Sequence, residues 1–138
     1  MAFLELIENI KKNESFRTRV YKDTLGVDTI GWGFAVKDLV LPRDIGDALL
    51  MRLALERMKE ADAAFPWLSD MPEIVRDTVI EMCYQLGIEG FSKFVRLIDA
   101  LKRKDWGHAI AEIMDSKMAK QTPSRARWYA SQFRKAKE

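Results

Sequence analysis

The stretch Asn13-Glu14-Ser15-Phe16-Arg17-Thr18-Arg19-Val20-Tyr21-Lys22-Asp23-Thr24-Leu25-Gly26-Val27-Asp28-Thr29-Ile30-Gly31-Trp32-Gly33 decides how this chain is read. Just before it, Phe3, Leu6, Ile7 and Ile10 recur at i, i+3, i+4 and i+7, which predicts a short amphipathic helix. Lys11 and Lys12 suit the negative end of that helix's dipole, and Asn13 is a plausible stop. From Phe16 the signal changes. Thr18, Val20 and Tyr21 favour strand, Asp23-Thr24-Leu25-Gly26 reads as a turn, and Thr29-Ile30-Gly31-Trp32 reads as a second strand. Gly26, Gly31 and Gly33 crowd into this piece, a pattern of tight turns or close backbone approach. A small antiparallel hairpin or three-stranded sheet is expected.

Downstream of Pro42 the pattern is helical. Leu50, Leu53, Ala54, Met58 and Ala61 form one stripe, ended by the Phe65-Pro66-Trp67 loop. Ile74 to Leu86 is apolar on more than one face and predicts a buried central helix, closed by Gly87. Phe91 to Leu101 and Trp106 to Met114 predict two more helices, with Asp105 capping the second. Thr122-Pro123 is a start signal, an N-cap threonine before a first-turn proline, opening a basic helix to about Lys137. The expected architecture is α+β in one domain over residues 1–138: a β lobe over about 14–40, and a helical body from 1–13 and 41–138.

At 138 residues, with 48% apolar content and 23 basic against 21 acidic residues, the chain has the composition of an ordinary globular domain. The single cysteine, Cys83, excludes an internal disulfide. Met1 to Lys12 lacks the basic start and continuous apolar run of a signal peptide, so synthesis in the cytoplasm of a host is expected, with a separate route to any target outside it. No apolar run approaches the roughly 20 residues that span a bilayer, so membrane insertion is not expected.

Several chemistries fall away by counting. His108 is the only histidine and sits in a predicted helix, as a surface or packing residue. One His and one Cys cannot build a zinc site of the usual kind, and Gly31-Trp32-Gly33 has the wrong spacing for a phosphate loop. No metal or cofactor is expected. Carboxylates remain. Glu14 follows the end of a helix, where the dipole disfavours a second negative charge; with partial burial it would suit proton donation. Asp23 lies at a turn, where aspartate commonly bonds its own backbone, and Thr29 opens a strand. Two carboxylates in different settings are what glycoside hydrolysis requires.

The spacing Glu14-x8-Asp23-x5-Thr29, set in Tyr21-Lys22-Asp23-Thr24 and Thr29-Ile30-Gly31, resembles the T-even phage type of lysozyme, the endolysin muramidases of glycoside hydrolase family 24. Gln121-Thr122-Pro123-Ser124-Arg125-Ala126 resembles the segment that opens a late helix in that family, and Tyr84-Gln85-Leu86-Gly87, Gly90-Phe91 with Arg96, and Lys104-Asp105-Trp106 are weaker matches. The resemblance implies a lysozyme-like fold and a peptidoglycan substrate, cut at the β-1,4 bond between N-acetylmuramic acid and N-acetylglucosamine for bacterial lysis. It implies Glu14 as general acid, Asp23 as an ionised stabiliser that orients a water, and Thr29 as a second holder of that water. Arg125 would pair with Glu14, and Tyr84 and Gln85 would lie beside the glycan. A monomer is expected, with no nucleic acid partner.

The chain also departs from that pattern. Phe34 stands where the family commonly has histidine, so apolar packing must replace any ion pair there. The connection from Phe34 to the central helix is shorter, implying a trimmed β lobe and a more open cleft. Trp106 and Trp128 are expected in the core, while Trp32 and Tyr84 have some claim to the cleft. The basic final helix, with Arg125, Arg127, Arg134, Lys135 and Lys137, reads as a solvated face, with Trp128, Tyr129 and Phe133 docking inward. The rival readings are a non-catalytic wall-binding or phage structural module, a lytic transglycosylase, and, last, a DNA-binding helix, which leaves the carboxylate spacing unexplained.

Overall fold

In the computed structural model, which describes residues 2–136, the first helix, α1, runs Ala2–Asn13. Lys11 and Lys12 lie in its last turn, and the Asn13 side chain donates to the Asn9 carbonyl at 3.0 Å, closing the helix where the sequence predicts. The apolar stripe fixes the helix but is not covered: Phe3, Leu6 and Ile10 are exposed, and no residue of α1 is buried.

Three antiparallel strands follow: β1 (Arg17–Lys22), β2 (Asp28–Gly31) and β3 (Phe34–Ala35), in the order β1-β2-β3. Of the two expected outcomes, the three-stranded sheet is the one formed. Thr29 sits at its centre, opposite Tyr21 on β1 and Ala35 on β3. The β1–β2 ladder is irregular between Arg17 and Tyr21, where four steps along β1 match two along β2. A cross-strand pair, Lys22 Nζ to Asp28 Oδ1 at 2.7 Å, closes the hairpin at its turn end, although both side chains are well exposed. A 3₁₀ turn (Val36–Asp38) leads to α2 (Arg43–Ala64).

The structure divides into two compact units between Gly46 and Asp47, within the first turn of α2. The first holds α1 and the sheet. The second holds the rest of α2, a 3₁₀ turn at Pro66–Asp70, and helices α3 (Glu73–Ser92), α4 (Val95–Lys102), α5 (Trp106–Met114), α6 (Lys117–Gln121) and α7 (Pro123–Lys135). Here α7 packs on α3, α5 and α6, and α4 packs on α5.

The core lies in this second unit. α3 is its central helix, burying Val75, Thr78, Val79, Met82 and Cys83 along one face, while Asp77, Glu81, Tyr84 and Gln85 are exposed. Around it are Leu97 and Leu101 from α4, Ile113 from α5, and Tyr129 and Phe133 from α7. Phe65 meets Phe91 edge-on, with centroids 5.3 Å apart. The thiol of Cys83, buried here, is pushed up to about 11 by loss of water, partly offset by the charge of Arg57.

Three expectations change. Gly87 does break the central helix, at φ 79° and ψ 163°, but a further helical turn follows it to Ser92. The single helix expected over Phe91–Leu101 is divided at Lys93 and Phe94, because Phe91 belongs to that extra turn. The short α6 has no periodic signal in the sequence. Thr122 stands at the start of α7 but does not cap it: its hydroxyl donates back to the Met118 carbonyl of α6 at 3.1 Å. Of the α2 stripe, only Ala61 is buried, and Leu50 and Leu53 are exposed. Lys137 lies outside the described residues.

Candidate active site

Glu14 stands in the link between α1 and β1, its amide donating to the Ile10 carbonyl at 2.8 Å. The side chain is exposed rather than partly buried as the sequence suggested, because nothing in the short link folds over it. Its carboxyl group rests against Gly33: a Cβ built there would lie 2.6 Å from Oε2 and 2.7 Å from Cδ. Gly33 is also held at φ +79°, so both its backbone and its bare Cα demand glycine. Within residues 2–46 the carboxyl group has no hydrogen-bond or ion-pair partner.

Asp23 is built differently. Its Oδ1 accepts from the backbone amides of Leu25 at 2.8 Å and Val27 at 2.9 Å, while its own amide donates to the Val27 carbonyl at 3.0 Å. Gly26, at φ +77°, completes the turn by donating to the Asp23 carbonyl at 3.0 Å. Thr29 joins the same set, because its hydroxyl donates to the Val27 carbonyl at 2.8 Å. Val27 is thus a shared backbone partner that ties Asp23 to Thr29, and no side-chain pattern in the sequence marks it. With its proton committed, the Thr29 oxygen is left as an acceptor, although the residue is only 4% exposed. Chemically, this unit presents one open carboxyl group, a second with one oxygen fixed by amides, and a hydroxyl oxygen able to accept from water.

The turn joining β2 to β3 is lined by aromatic rings. Trp32 lies 5.0 Å from Phe16, tilted by 50°, and the Lys11 ammonium stands 5.6 Å from the Trp32 centroid. The Phe34 ring covers Gly31, where a Cβ would meet Cδ2 and Cε2 at 2.7 Å.

The other candidates belong to the second unit. Tyr84 and Gln85 are exposed on α3. Arg125 is exposed near the start of α7 and lines a cavity of about 500 Å³ with Glu81, Thr122, Pro123, Ser124 and Trp128. Trp128, expected in the core, is half exposed there, its indole donating to Glu81 Oε2 at 3.1 Å. The polar indole N–H takes its acceptor from the exposed Glu81 of α3. Burial, then the charge of Glu81, raises the proton affinity of Tyr129 beneath, and Arg125 partly offsets this. Trp106 does pack on the core. His108 is a surface residue as expected, between Arg103 and Glu112 at 3.1 Å each. Among the described residues no cluster of three or more His, Cys, Asp or Glu could hold a metal ion, and no helix is long and apolar enough to cross a membrane.

One unit with a small antiparallel sheet and a second, mainly helical unit, with carboxylates at an α1–β1 link and a β-turn, make up the α+β lysozyme-like fold class. The chain belongs to the phage lysozyme family, matching it over residues 11–137. It is also similar to the pre-baseplate central spike protein Gp5 of Enterobacteria phage T4, at 28% identity over 151 aligned positions. That alignment covers 89% of this chain but 26% of the spike protein, so the chain spans about a quarter of that relative's length. The family match is consistent with peptidoglycan hydrolysis at the level of the family.

Proposed function

We propose that this chain is a muramidase that hydrolyses the β-1,4 bond between N-acetylmuramic acid and N-acetylglucosamine. The observation that carries the reading is the contrast between its two carboxyl groups in one compact unit: Glu14 open and seated on Gly33, Asp23 fixed by two backbone amides. Glu14 donates a proton to the departing glycosidic oxygen. Asp23 supports the positive charge that grows at the anomeric carbon and accepts one hydrogen of the attacking water. Thr29 Oγ1 accepts the other, since its own proton is held by Val27, leaving a water lone pair for the carbon. The family resemblance implies Arg125 as a partner of the acid and Tyr84 and Gln85 as glycan contacts. None of these steps calls on a metal or cofactor. The test is Glu14→Gln, which should fold normally and fail to clear permeabilised Gram-negative cells; retention of most of the clearing activity removes Glu14 as the acid.

The similarity to a phage spike protein favours a second reading, in which the same domain serves as a structural or wall-binding module of a phage particle. Binding to purified peptidoglycan without new reducing ends would select that reading over the enzyme.

A further inference from the structure

We propose that the β2–β3 turn positions the catalytic acid, with Trp32 and Gly33 as positioning residues for the Glu14 carboxyl group; this rests on the reading of Glu14 as that acid. Glu14 sits in a short link with an exposed side chain, a setting in which a carboxyl group ordinarily samples several rotamers. Both sides of that link are tied to one residue. Lys11, three positions before Glu14, places its ammonium 5.6 Å from the Trp32 centroid, and Phe16, two positions after, packs its ring 5.0 Å away. Lys11 also approaches Glu8 Oε1 at 3.8 Å, so its ammonium is held on the helix as well as over the ring. The next residue, Gly33, receives the carboxyl group on its bare Cα, where a single added carbon would lie 2.6 Å from Oε2.

Trp32 therefore holds the backbone on either side of the acid while Gly33 supplies the seat. Sugar stacking is the other role open to Trp32, but its ring is partly buried and already engaged by Lys11 and Phe16. A positioning residue acts on kcat, whereas a stacking residue acts first on KM.

The test uses the full chain, soluble glycan fragments of peptidoglycan, and the ¹³Cδ signal of Glu14. Trp32→Ala should lower kcat by roughly tenfold or more with KM nearly unchanged, and Trp32→Phe should restore most of the loss. Gly33→Ala should displace the Glu14 signal. Gly26→Ala is the matched control, because Gly26 has φ +77° with no atom within 4 Å of an added Cβ; it imposes similar backbone strain and should leave that signal in place. A Trp32→Ala loss confined to KM, or a Glu14 signal moved equally by both glycine variants or by neither, overturns the proposal. If the unaltered chain releases no product, the reading of Glu14 as an acid fails, while the two glycine variants still decide whether the turn holds its carboxyl group.

Discussion

Asp23 serves its own turn before it can serve a substrate, because two amides donate to its Oδ1. This separates charge from geometry. Asparagine in place of aspartate keeps an acceptor oxygen for Leu25 and Val27 but carries no negative charge. Asp23→Asn should therefore keep the fold and lose about 10²–10³ in kcat, the scale of one removed electrostatic stabiliser. Asp23→Ala should lower the thermal midpoint as well; circular dichroism melts with glycan-hydrolysis rates check both. Cys83 gives a second test at this scale. Burial raises its thiol to about 11, so the neutral form is favoured in the fold. Its contribution to stability is complete below the ordinary thiol range near pH 8.5 and is lost as pH rises through about 11. Alkylation of the native chain at pH 8 should be negligible and should become rapid in denaturant.

At the scale of elements, the start of α5 is the clearest case of local instruction. Asp105 Oδ1 accepts from the His108 amide at 3.1 Å, and that bond, followed by the Arg103 guanidinium, holds the Asp105 carboxyl below the usual range. A lowered folded value means stability that is present above about pH 4, the unfolded carboxyl's range, and is lost as pH falls through the folded value. Asp105→Ala should lower the thermal midpoint at pH 7, and the gap should close on acidification; an equal gap at all pH values would contradict the cap. Gly87 is the other element-level prediction. At φ 79° and ψ 163° it occupies backbone that essentially only glycine tolerates, so Gly87→Ala should destabilise by about 1–3 kcal/mol in chemical denaturation, although an added Cβ meets no atom. These two elements also show what was legible. The bounds of α5 follow from an N-cap and apolar spacing, both local. The division at Lys93 and Phe94 and the turn of Thr122 toward α6 depend on neighbours that spacing does not encode. For α2, the apolar period specifies a helix but not what covers it, and Leu50 and Leu53 are exposed.

Across the whole molecule, the two units differ in how they are built. Among the described residues, the buried apolar side chains all lie in the second unit, whereas in the first only Thr29 and Gly31 are buried. Phe91→Ala should therefore cost about 3–5 kcal/mol, the range for emptying a packed aromatic site. Backbone amides of residues 2–46 should exchange with solvent faster than those of α3 and α7, measured on the intact chain. The site shows the same limit on sequence reading. Glu14, Asp23 and Thr29 are legible as candidates through a spacing that resembles the family's, since they are close in sequence. The seat at Gly33 was visible only as a crowding of glycines, and the link between Asp23 and Thr29 runs through the Val27 peptide, which carries no side-chain signature. The Trp128–Glu81 bond joins residues 47 positions apart and had no signal at all. The most direct measurement is the mass of the fragments released from purified peptidoglycan. The account predicts reducing N-acetylmuramic acid ends, formed by the unaltered chain and absent with Glu14→Gln. Anhydro sugar ends, or no new ends from the unaltered chain, would contradict it.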